Sequence, residues 1–168
     1  MTFPRLACWG LLAVALHNAE EALTIPSWLP PRLARLEAEY GIRPLAADSG
    51  RLYWGLVAAT VIPLIWVAIA SRGAPRSAGA YSILVLYGVF LANAFVPHLV
   101  GMALLVSYVP GGLTAGLVVV PYTVWLAYRA LADGYATKSG LTAALFVAVV
   151  IYFPALRALL GLPRLAAG

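Results

Sequence analysis

The sequence predicts an all-α protein, a polytopic membrane bundle of about five transmembrane helices with a short interfacial amphipathic helix in the first loop. Three observations carry this reading. The 168 residues are 63% hydrophobic and only 10% charged, with mean hydropathy +0.92. A water-facing domain carries about a quarter charged residues, whereas this chain has 17 (11 basic plus 6 acidic). Second, five apolar stretches each approach the ~20 residues that a helix needs to cross ~30 Å of hydrocarbon. Third, the stretches lack the alternation of barrel strands, and lipid admits only helices or closed barrels because backbone groups must be satisfied internally. These numbers argue against a soluble enzyme, a disordered chain or a disulfide scaffold. The net charge of +5 is spread one or two residues at a time between apolar runs, so no nucleic-acid partner is expected. Cys8 is single and cannot pair within the chain.

The elements form a single membrane-embedded domain over 1–168, expected as a multi-pass protein of a bacterial inner membrane. The first helix covers 6–24. Arg5 before an apolar core resembles a signal peptide, but His17-Asn18-Ala19-Glu20-Glu21 stands where a small-residue cleavage site belongs. In the long first loop, Pro30-Pro31 and Gly41 are start and stop signals for a helix over 31–40. Leu29, Leu33, Leu36 and Tyr40 share one stripe, while Arg32, Arg35, Glu37 and Glu39 lie mostly elsewhere, which suits the headgroup region. That helix reads as a connector, and a lid over a membrane site is the sharper alternative.

The second helix covers 52–70, and Tyr53, Trp54 and Trp28 read as an aromatic belt on one side. The third, 80–107, would be ~42 Å long, so it must tilt, kink at Pro97 or project from the bilayer. Tyr108-Val109-Pro110-Gly111-Gly112 makes a tight turn into the fourth helix, 113–132, and 141–160 is the fifth. Gly55, Gly88, Gly101 and Gly116 are expected to permit close helix packing. Arg5, Arg72, Arg76, Arg129 and Lys138 fall on one side of this arrangement; Arg32, Arg35, Arg43, Arg51, Arg157 and Arg164 fall on the other. The two counts are too close to fix the orientation, with a slight preference for an inside amino terminus.

Of the acidic residues, Glu37, Glu39, Asp48 and Asp133 lie in loops or at helix ends, while Glu20 and Glu21 sit inside the first helix, one turn beyond His17. Positions i, i+3 and i+4 share a helix face. Ionisable groups in a span cost several kcal/mol unless they face a cavity or a partner, so they are functional candidates. Hydration of both glutamates at the interface is the plain structural alternative. The other histidine, His98, lies in the third helix, which runs toward the same face as the first. Both imidazoles therefore sit ~10–15 Å below that surface. Asn93 is about a turn and a half deeper and can donate a hydrogen bond, Pro97 frees a carbonyl beside His98, and Tyr108 can hydrogen-bond into the site from the turn.

His17-Asn18-Ala19-Glu20-Glu21, a further histidine at His98 and Tyr108-Val109-Pro110-Gly111 resemble, in the same order, the motifs of the HXXEE-domain family of uncharacterised integral membrane proteins. The resemblance spans roughly 9–160 and implies a membrane protein with a conjectured enzymatic role and no established reaction.

Two chemistries suit the residues. His17, Glu21 and His98 make the two-His, one-carboxylate set of a catalytic zinc centre, with Glu20 as its base; the catalytic set is then His17, Glu20, Glu21 and His98. The spacing resembles H-x-x-E-H with the last His replaced by Glu21. A di-iron carboxylate centre is disfavoured, because only two carboxylates are to hand. Alternatively, two adjacent carboxyl groups in a low-dielectric site rarely both ionise, and a protonated one beside the histidines makes a metal-free acid/base pair. The expected function is a membrane enzyme acting on a lipophilic small molecule or lipid, nominally by hydrolysis. A proton-coupled transporter and a non-catalytic membrane partner are the alternatives.

Overall fold

The structure is a computed structural model and describes residues 1–44 and 47–160. Among the described residues six α-helices follow one another: α1 (Phe3–Trp28), α2 (Leu33–Tyr40), α3 (Ser49–Ala70), α4 (Ala78–Leu105), α5 (Gly112–Ala132) and α6 (Lys138–Leu160). There is no strand among the described residues. Arg164 lies outside them.

Helices α3 to α6 are long and apolar enough to cross a membrane, which makes this an integral membrane protein. At 26 residues α1 has the length as well, ~39 Å. The polar run from His17 to Glu21 lowers its hydropathy below that of the other four.

Several helices start earlier than the apolar runs because their caps lie outside those runs. The Asp48 carboxylate accepts from Arg51 N at 3.1 Å and starts α3, and Ser77 Oγ accepts from Ala80 N at 3.3 Å and starts α4. In the first loop, a 3₁₀ turn over Pro30–Arg32 precedes α2. Gly41 then ends α2 in the left-handed region, with its N–H on Glu37 O and Ile42 N–H on Leu36 O.

Of the three outcomes expected for the third helix, tilt, a kink at Pro97 or projection from the bilayer, the kink is present. Ala94–Leu99 is a wide turn within α4, Val96 is extended (φ −129°, ψ 117°), and Pro97 removes a backbone donor there. Beyond the bend α4 runs on to Leu105 and stops at Val106, which has φ 48°.

The core gathers Phe3, Leu6, Ala7 and Val14 of α1 with Ile83, Leu84 and Tyr87 of α4 and Leu126 and Ala130 of α5. Tyr87 and Tyr122 donate to the Ala7 and Leu6 carbonyls at 2.5 and 2.6 Å, so α1 is tied to both α4 and α5. At Gly88 a Cβ would stand 2.7 Å from the Ala148 methyl, which places α4 and α6 in close contact. Gly55 has open space around it instead. The outward faces carry Leu12, Leu16, Val57, Ile65, Leu117 and Phe146, as lipid requires.

Candidate functional site

The bend in α4 and the stretch of α1 about three turns before its end bring the two histidines together. His17 is 4% exposed and His98 2%, and their rings meet edge to face with centroids 4.6 Å apart. Glu21 Oε1 lies 3.4 Å from His98 Nε2. One ligand atom each from His17, Glu21 and His98 falls within 4.8 Å of the others.

The hydrogen bonds fix which nitrogen of each ring faces inward. His98 Nδ1 is 2.7 Å from Pro110 O, and a carbonyl can only accept, so the proton sits on Nδ1. Thr114 Oγ1 spends its proton on Glu20 Oε2 at 2.5 Å and therefore accepts from His17 Nδ1 at 3.0 Å. Both Nε2 lone pairs thus point into the cluster, toward the side-chain amide of Asn93 at 3.4 and 3.2 Å.

Adjacent glutamates have separate surroundings. Glu21 belongs to the cluster, whereas Glu20 accepts from Tyr108 Oη (2.6 Å), Leu113 N (3.3 Å), Thr114 N (2.8 Å) and Thr114 Oγ1 (2.5 Å). Four donors occupy its lone-pair sites, and two are orphan N–H groups at the start of α5, where negative charge is stabilising. Glu20 thereby ties α1 to α5 behind His17. Tyr108 reaches the site through this carboxylate, and burial together with that bond pushes its phenol up from the ordinary value, keeping it a donor at neutral pH. Asn18, inside the same motif, points away and donates to Thr60 Oγ1 at 2.7 Å, linking α1 to α3.

The turn before α5 forms one wall. Gly111 has φ +78°, and a Cβ there would stand 2.7 Å from His17 Cε1 and 2.8 Å from His98 Cε1. Only glycine serves both demands. From above, Trp28 Nε1 donates to Tyr108 O at 2.7 Å, and Arg32 stacks over the indole at 4.9 Å.

A family model described as a protein of unknown function with an HXXEE motif matches residues 9–126. The chain belongs to this family. The match takes in the HXXEE run, His98 and the turn at 108–111, and it ends before α6, short of the 160 expected from the motifs. No curated protein and no solved structure matches the chain.

In this HXXEE protein the cluster groups side chains that could hold a metal ion. Two imidazole nitrogens and a carboxylate are a donor set for zinc and its neighbours. Each histidine holds its outer N–H on an oxygen, Pro110 O or Thr114 Oγ1 with Glu20 behind it, which is the arrangement that orients metal-bound histidines. Gly111 was read only as part of the turn at 108–112, and Thr114 and Tyr152 were not legible as site residues. Thr114 is one turn into an apolar helix, and Tyr152 reads as one more aromatic in a spanning run. The signal for Thr114 was its position at the amino end of α5, where an incoming carboxylate finds both a hydroxyl and free N–H groups.

Proposed function

We propose that this HXXEE protein is a small five-helix membrane enzyme whose metal centre, held by His17, Glu21 and His98, acts hydrolytically on a lipophilic substrate. In this reading α1 is the fifth crossing: besides its length, it presents Trp9, Leu12, Leu16 and Leu23 outward. One observation supports the metal above all. Both Nε2 lone pairs and the Glu21 carboxylate converge on one spot while both Nδ1 protons are committed elsewhere, so acceptors outnumber donors and a cation resolves the imbalance.

A bound divalent ion supplies a polarised substrate carbonyl or a water of lowered pKa. The residues of the chain do the rest. His17 and His98 are held in one tautomer each, and Glu20 restrains His17 through Thr114 rather than touching the reacting atoms. Glu21, with its side chain 16% exposed, is the edge of the cluster through which a substrate enters.

Metal analysis of protein purified in detergent tests the reading. About one equivalent of zinc or a related metal is expected, lost in both His17→Ala and His98→Ala, with hydrolysis of lipid esters or amides lost alongside. Full activity in a metal-free preparation sinks it.

One observation favours the metal-free acid/base reading. The Asn93 NH₂ group has two protons and, as placed, satisfies both Nε2 atoms without a cation. That reading predicts hydrolysis insensitive to chelators yet abolished by Glu21→Gln.

A further inference from the structure

The amide of Asn93 has two ways to sit. Tyr152 of α6 has one hydroxyl proton and two acceptors in reach, Val96 O in a short hydrogen bond and Asn93 Oδ1 at 3.3 Å. A backbone carbonyl can only accept, whereas the amide of Asn93 can be turned to offer a donor, so the proton goes to Val96 O at the bend of α4. That leaves a phenol lone pair facing Asn93 Oδ1, which is also an acceptor. Turning the amide half a revolution, a change that leaves its shape unaltered, removes the conflict. Asn93 Nδ2 then donates to Tyr152 Oη, and Oδ1 takes the position 3.4 and 3.2 Å from the two Nε2 atoms.

An amide oxygen aimed at two imidazole lone pairs is repulsive unless a cation lies between them. Three of the separations suit one, while the ligand atoms of His17, Glu21 and His98 lie within 4.8 Å of one another. Ligands at the ~2.0–2.1 Å of zinc bonds stand about 3.4 Å apart along a tetrahedral edge. Asn93 to His17, Asn93 to His98 and Glu21 to His98 measure 3.4, 3.2 and 3.4 Å.

We infer that Asn93 is a fourth metal ligand, through Oδ1, and that Tyr152 is the positioning residue that turns its amide oxygen toward the ion. This rests on the metal reading above and deepens it. Without metal the amide presents its NH₂ group to both histidines; with metal it presents oxygen. The neutral amide is the weakest of the four donors, and so the one that a substrate or water displaces.

Co²⁺ titration of purified full-length protein in detergent, followed by visible absorption and by competition with a chelator, tests this. Wild type is expected to show the intense bands of a tetrahedral nitrogen and oxygen site. Asn93→Leu, similar in size but without a donor, is expected to bind at least about tenfold more weakly with altered bands. Asn93→Asp restores binding to the wild-type level or tighter, because a carboxylate oxygen occupies the same place. Tyr152→Phe falls between Leu and wild type.

Unchanged affinity and bands in Asn93→Leu, with cobalt lost in His98→Ala, overturn the fourth ligand and leave the three-residue centre standing. Equal weakening in Asn93→Leu and Asn93→Asp overturns it too, since a packing defect is not rescued by a ligating side chain. Wild-type protein that binds no cobalt removes both inferences at once.

Discussion

Two neighbouring carboxylates in α1 serve different ends here, and helix geometry is the reason. Consecutive side chains diverge by about 100° around the axis, so Glu21 turns to His98 while Glu20 turns to α5. The sequence made the cluster legible through the matched depth of His17 and His98. It also grouped both glutamates in one sector and assigned Glu20 the role of base. Its four hydrogen-bond donors come from residues 88 to 94 positions away, which no local spacing reveals. A direct comparison follows. Glu21→Gln is expected to abolish tight Co²⁺ binding with little change in thermal stability. Glu20→Gln is expected to keep the cobalt bands and lower the melting temperature, by a loss of about 1–3 kcal/mol as hydrogen bonds to a charged acceptor are weakened. Loss of metal in Glu20→Gln with unchanged stability would contradict the role as a tie between helices.

Helices were easy to read and their joints harder. Apolar length gave α3 to α6, and the surplus length of α4 together with Pro97 gave its bend. The starts at Ser49 and Ala78 were missed, because Asp48 and Ser77 cap from polar residues that hydropathy assigns to the loops. The first loop was read as a connector, with a lid as the alternative, and the structure gives its near end a specific contact. Trp28 closes α1 and donates to Tyr108 O, while Arg32 donates to Trp28 O at 3.0 Å and stacks on the ring. The turn that carries Pro110 O and Gly111 is therefore pinned from the loop side as well as by Glu20. Trp28→Phe keeps an aromatic face for Arg32 and deletes the N–H. It is expected to cost about 1 kcal/mol in stability and to raise amide exchange at 108–111, read by hydrogen–deuterium exchange. Exchange there identical to wild type would show that the indole bond does not hold the turn.

The whole bundle is arranged so that one site draws on four helices. α1 gives His17 and Glu21, α4 gives Asn93 and His98, the start of α5 gives Thr114, and α6 gives Tyr152. The family match ends at residue 126, yet α6 packs closely on α4 at Gly88 and Ala148 and reaches the site. Such an arrangement requires α1 to be a full member of the bundle. Its Phe3 and Leu6 are buried at one end and His17 further along, and Tyr87 and Tyr122 hold it from two sides. With five crossings, residue 2 and the loop at 71–77 share one side of the membrane, and the loop at 41–48 lies on the other. In a Cys8→Ser background, Thr2→Cys and Ala74→Cys are expected to react with a membrane-impermeant maleimide from the same side of sealed vesicles, and Arg43→Cys from the opposite side. With four crossings and α1 peripheral, Thr2→Cys reacts together with Arg43→Cys instead. That pattern would take α1, with His17 and Glu21, out of the bilayer, and with it the reason for expecting a substrate that arrives through lipid.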